Sequence, residues 1–172
     1  MQPNPSDAQE RSRETTGKVR LPVRNRQTED VMRGEFEVLV AAASPENRSA
    51  LTKVLLGMGL KTAISSSVQE AQAILSAKPV SLVFCEEQFT DGNYQDVLRA
   101  VKRTAEKAPV VVSSRSHDWY EYLEALRLGA FDFFDAPVRA ADVEMIVRYA
   151  VRLAEAAERR ERMRPLRNTR VA

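Results

Sequence analysis

Apolar and polar residues follow two rhythms along this chain, and the rhythms take turns. Residues 36–42 are an apolar run of strand length, and Leu51, Val54, Leu55 and Met58 then recur at the i, i+3, i+4, i+7 spacing of one helix face. Ser44-Pro45-Glu46 reads as the start of that helix, with a hydroxyl cap, a proline in the first turn and an acid beside it. Gly57 and Gly59 weaken and end it. The alternation repeats: a strand over 60–64, a helix over 68–77 closed by Pro79, and a strand over 81–85. Thr90-Asp91-Gly92 is a turn before a helix holding Val97, Leu98, Val101 and Lys102. A valine-rich strand over 109–113 leads to a helix capped by Ser116 and ended by Gly129. A short strand over 131–134 follows. Pro137 and Asp142 introduce the last helix, with Val143, Ile146, Val147 and Ala150 on one face.

Five apolar strands alternating with five amphipathic helices predict a parallel sheet covered on both faces. Right-handed crossovers then give a doubly wound five-stranded sheet of the flavodoxin-like order 2-1-3-4-5. Such a sheet places its site at the carboxyl ends of strands one, three and four. Here those ends are Ala42/Ala43, Cys85/Glu86 and Ser113/Ser114.

Outside residues 35–153 the rhythm stops. Residues 1–34 are polar, with three prolines and mixed charge, and read as a disordered tail. Val19–Val23 is a short patch that docks somewhere or nowhere, with Pro22 arguing against a central strand. The last helix is expected to run to about Arg164, where Pro165 ends it. Residues 154–172 form a polar, arginine-rich extension and tail, with Glu155–Arg159 and Glu158–Arg162 as i, i+4 pairs.

Composition narrows the function classes. Hydrophobic residues make up 44% and charged residues 29% of 172, an ordinary balance for a soluble domain with a substantial core. A net charge of +2 does not by itself argue for nucleic acid. No stretch approaches the length of a membrane span, and Cys85 is a single cysteine, so the chain is expected in the cytoplasm. No GxGxxG or P-loop spacing occurs, which argues against a nucleotide or flavin enzyme.

Several segments resemble the receiver domain of bacterial response regulators over about residues 36–153. Ser44-Pro45-Glu46-Asn47-Arg48 follows the first strand, Phe89-Thr90-Asp91-Gly92 the third, and Pro109-Val110-Val111-Val112-Ser113-Ser114 resembles the fourth. Gly129-Ala130-Phe131-Asp132-Phe133-Phe134-Asp135-Ala136-Pro137 is similar to that family's Gly-Ala-x-Asp-Tyr/Phe-x-x-Lys-Pro segment. The resemblance implies a phosphorylation switch in two-component signalling. Its chemistry needs a divalent cation held by an acidic pair, an aspartate nucleophile and a lysine. Those positions fall on Ala42 and Ala43, on Glu86, and on Ala136. Only the hydroxyl position, Ser114, and the switch aromatic, Phe133, keep the family's chemistry.

The expectation is therefore a degenerate receiver without catalytic residues, metal or cofactor. Glu86 either imitates a phosphorylated aspartate by hydrogen-bonding Ser114, with Arg115 or Arg139 supplying the missing cation, or points to solvent. Glu87, Asp91 and Asp135 lie near the same edge, where Asp135 would approach Glu86 in an unusual active receiver. Function would then rest on surfaces. The face of helix four, strand five and helix five, with Tyr120, Tyr149, Arg127 and Met145, is expected to take a protein partner or a second copy, while Trp119, Leu123 and Leu126 are expected in the core. The alternative is a nucleic-acid-associated regulator using the arginines, six against two acids from Glu158 to Ala172. Too few residues follow the last helix for a helix-turn-helix, so the domain is expected to stand alone. His117 is expected to make local hydrogen bonds, and Cys85 to be a buried small hydrophobe.

Overall fold

Five parallel strands form the centre of the computed structural model of the chain, which describes residues 36–105, 108–116 and 118–163. In chain order they are β1 (Glu37–Ala41), β2 (Lys61–Ser65), β3 (Leu82–Glu86), β6 (Val110–Ser114) and β7 (Asp132–Asp135). The sheet order is β2-β1-β3-β6-β7, the doubly wound order that the alternation predicts. The intervening helices are α1 (Pro45–Gly57), α2 (Val68–Ala77), α3 (Tyr94–Thr104), α4 (Trp119–Leu128) and α5 (Ala140–Arg162). Residues 1–35, His117 and 164–172 lie outside the described residues, as do the expectations about the tails, the Val19–Val23 patch and the Pro165 stop.

Alternating strand positions feed two cores. Leu39, Ala41, Val83, Cys85 and Val112 face α2, α3 and α4. Val38, Val40, Ala42, Leu82, Phe84 and Val111 face α1 and α5. Strands this apolar on both sides are stable only when helices cover both. Burial of the Cys85 thiol, with the nearby Glu86 carboxylate as a lesser cause, pushes its pKa up, so it stays a neutral thiol.

Local chemistry sets the helix starts. Ser44 accepts from the Asn47 amide at 3.3 Å, with Pro45 filling the first helical position. At α2, Ser67 caps through the Glu70 amide. The turn predicted at Thr90-Asp91-Gly92 is the tip of a small hairpin, β4 (Gln88–Phe89) with β5 (Gly92–Asn93). Asp91 reaches from that tip to accept from the amides of Val68 and Gln69 at 3.0 and 2.9 Å. Those two backbone bonds, Val68 first, hold its carboxyl below the usual range. Gly92 lets the tip approach, because a Cβ there would lie 2.6 Å from Asp96 Oδ2. Asp96 in turn closes the capping box of α3 through the Asn93 amide.

Three expectations need correction. Asp118, not Ser116, caps α4 through the Tyr120 amide, and the Ser116 hydroxyl accepts from the Asp118 amide one turn earlier. The fifth strand is Asp132–Asp135, one residue later than its apolar run suggests. Trp119 and Leu123 are not core residues: they are 62% and 45% exposed, and the one fully buried side chain of α4 is Ala125. Helix α4 meets the sheet through Ala125, which leaves Trp119 and Leu123 on its outward side.

Candidate functional site

The carboxyl ends of β1, β3, β6 and β7 meet at one edge of the sheet. Ala42 is fully buried among the α1 and α5 side chains, and Ala43 follows it at the loop. Neither side chain offers an oxygen. Their carbonyls are taken by Arg48, whose Nη1 donates to Ala42 O at 2.6 Å and Ala43 O at 3.2 Å. A divalent cation of the oxygen-ligand type therefore finds no acidic pair here, and a guanidinium closes the loop instead. Among the described residues, no three His, Cys, Asp or Glu side chains gather at metal-ligand spacing.

Glu86 does not meet Ser114. Its Oε2 accepts from the Ser44 amide at 2.7 Å, a charge-assisted bond to the cap of α1. The acid on Ser114 is Glu87: the Ser114 hydroxyl donates to Glu87 Oε2 in a short bond. The reason lies in the register. Glu86 pairs with Ser113, so both point to the α1 side, where Asn47 Nδ2 donates to Ser113 Oγ at 3.2 Å. Ser114 points the other way, toward the residue after Glu86. Turn-motif spacing alone misses this, whereas the two-residue side-chain period carries it.

Ser114 ties three segments together. Its hydroxyl oxygen accepts from the Ser116 amide at 2.9 Å while donating to Glu87, and its carbonyl accepts from the Ala136 amide at 2.6 Å. Glu87 is itself anchored, donating its amide to Ser113 O and accepting from the Tyr94 amide, each at 2.9 Å. Burial raises the pKa of the Tyr94 phenol, a hydrogen bond with Gln95 opposes it, and the charges of Glu124, Glu87 and Glu121 add smaller increases.

The expected replacement cations go elsewhere. Arg139 forms an ion pair with Asp142 on α5, at 2.7 Å from Nε, and Arg115 Nη2 donates to Ser44 Oγ at 3.2 Å. Neither is bonded to Glu86. Asp135 ends β7 opposite Ser114 in register, and Ala136 follows as a backbone donor only.

Phe133 sits on β7 against the α2–α4 core. Its ring meets Tyr122 edge-on at 6.1 Å, and Tyr122 stacks on Trp119 at 5.0 Å. This aromatic chain runs from Phe133, opposite Val112 in register, to the surface of α4. Tyr120 is 81% exposed on α4, while Met145 and Tyr149 are 58% and 49% exposed on α5. Tyr149 rests on Phe131 at 5.3 Å. The expected interface residues are thus exposed, with Arg127, on the two helices flanking β7.

Comparison with known proteins bears on the fold. No family model matches the chain. The response regulator protein PilR of Pseudomonas aeruginosa is 29% identical over 117 residues, covering 68% of this chain and 26% of that protein. The transcriptional regulatory protein ZraR of Salmonella typhimurium is 24% identical over 108 residues, covering 63% of this chain and 24% of the relative. This chain thus spans about a quarter of these curated relatives. Among solved structures, the receiver domain of a Francisella response regulator superposes with a TM-score of 0.63 at 15% identity, covering 69% of this chain and 98% of that one. A CheY-like receiver domain from Methanospirillum hungatei gives 0.65 at 14% identity, over 72% and 99%. The fold is that of response-regulator receiver domains.

Proposed function

We propose that this receiver domain serves two-component signalling as a protein-interaction module that works without phosphoryl transfer at its sheet edge. The observation that carries the reading is the reuse of the site's groups. Ala42 and Ala43 hold no metal ligand, Glu86 is occupied by the Ser44 amide, and Glu87 takes the Ser114 hydroxyl. In an active receiver that hydroxyl would turn to an incoming phosphoryl group. Here a carboxylate of the chain already holds it, the same hydroxyl oxygen fixes the β6–α4 loop through the Ser116 amide, and the Ser114 carbonyl separately holds the Ala136 amide of the β7–α5 loop. The imitation is partial, since a carboxylate carries one charge where a phosphoryl group adds about −1.5 to −2.

The output face is α4, β7 and α5, with Tyr120, Arg127, Met145 and Tyr149 as contacts for a protein partner or a second copy. Exposed aromatics and methionine of this kind serve as interface anchors. Amide shift mapping of Glu87→Gln and Ser114→Ala tests the latch. Shifts are expected through residues 114–123 and β7; changes confined to the mutated positions would remove the link between site and face. The second reading, nucleic-acid binding, draws on the exposed Arg159, Arg160 and Arg162 at the end of α5. Salt-dependent DNA binding lost on replacing these three with glutamate would favour it.

A further inference from the structure

The exposed patch on α4 and the sequence ahead of β1 are complementary in chemistry. Trp119 and Leu123 lie one turn apart, with Tyr120 beside them, and all three face solvent. That is a contiguous apolar surface of the kind that marks a contact. Asp118, which caps the helix, and Glu124 on it are exposed acids at the edge of the patch, and neither pairs with a described basic residue. The patch calls for an occupant both apolar and cationic.

Lys18-Val19-Arg20-Leu21-Pro22-Val23-Arg24-Asn25-Arg26 has that chemistry, with four basic residues, three aliphatic ones and no acid. In extended backbone Val19, Leu21 and Val23 share one side, and the long side chains of Arg20 and Arg24 beside them can bend over the backbone to acids at the patch edge. Pro22 favours extended backbone and leaves no amide to satisfy. The nine residues 27–35 bridge to Phe36, and extended they reach about 30 Å. The start of β1 and the start of α4 are separated by two strand spacings, one strand length and a helix layer, on the order of 25 Å. The linker is long enough.

We propose that residues 18–26 dock on the α4 patch of the same chain, with Leu21 and Val23 on Trp119 and Leu123, and arginines on Asp118 and Glu124. Tethering makes such a contact effective even when it is weak, because the local concentration is high. The segment then covers part of the output face, and anything binding there must displace it. The contact is internal to the chain and does not depend on what that face binds.

Trp119 is the only tryptophan, so its emission reports the patch directly. The full chain is compared with Leu21→Asp/Val23→Asp and with Arg20→Glu/Arg24→Glu, each checked by far-ultraviolet circular dichroism. Both variants should red-shift the emission and raise the acrylamide quenching constant about twofold, as expected on losing a contact that shields the ring in roughly half of the molecules. Added salt should raise quenching of the wild type toward the charge variant. Equal quenching in all three proteins would overturn the proposal. So would protection that grows with protein concentration, which would assign the patch to a second copy.

Discussion

Ser114 and Glu87 carry the most at the scale of single residues, because one hydroxyl organises two loops. Ser114→Ala removes its bonds to Glu87 and Ser116 and leaves a half-buried carboxylate without its donor. Losing hydrogen bonds of this kind costs about 1–3 kcal/mol. Urea denaturation should show that loss for Ser114→Ala and a smaller one for Glu87→Gln, which still offers an acceptor. The double variant should fall short of the sum of the singles, as coupled partners do. Gly92 is the second sensitive residue. Gly92→Ala drives a Cβ to 2.6 Å from Asp96 Oδ2 and 3.2 Å from Val68 Cγ2, disturbing the capping box of α3. A cost of about 1–2 kcal/mol in denaturation is expected, on the scale of a lost cap.

Between elements, the hairpin of β4 and β5 is tied to α2 by one carboxylate. The Val68 and Gln69 amides hold the Asp91 carboxyl below its ordinary value. A folded-state pKa lowered in this way stabilises the fold above the unfolded value, near pH 4, and the contribution disappears as pH falls through the folded value. Thermal melts of Asp91→Asn against wild type should therefore differ most at neutral pH and converge in acid. A gap unchanged down to about pH 2 would mean that the charge does not matter. The order of strands and helices was legible in the alternation of periods, because the central strands β1, β3 and β6 are buried on both faces and each turn has its own chemistry. The site was legible only in part. Ala42, Ala43 and Ala136 show their missing groups directly. Which glutamate meets Ser114 depends on cross-strand register, and a turn motif counts residues along one strand only. Arg48 escaped notice because a guanidinium bonding carbonyls one turn back leaves no periodic trace. Trp119 and Leu123 have core spacing, but α4 turns Ala125 to the sheet and leaves their side outward.

At the scale of the whole molecule, the domain keeps a receiver's frame and exposes the face beside β7. Among the described residues, no helix is long and apolar enough to cross a membrane. The last turns of α5 pass beyond the buried stripe that ends near Ala154, and the Glu158–Arg162 pair there, at 3.6 Å, is exposed. Arg162→Ala should change stability by less than about 0.5 kcal/mol, as exposed i, i+4 pairs do.

The central claim is that the sheet edge is set by the chain's own carboxylates and does not turn over phosphate. Intact-mass spectrometry of the full chain after incubation with acetyl phosphate and Mg²⁺ tests it most directly. The account predicts an unchanged mass; a hydroxylamine-labile phosphoryl adduct on Glu86, Glu87 or any neighbouring acid would contradict it.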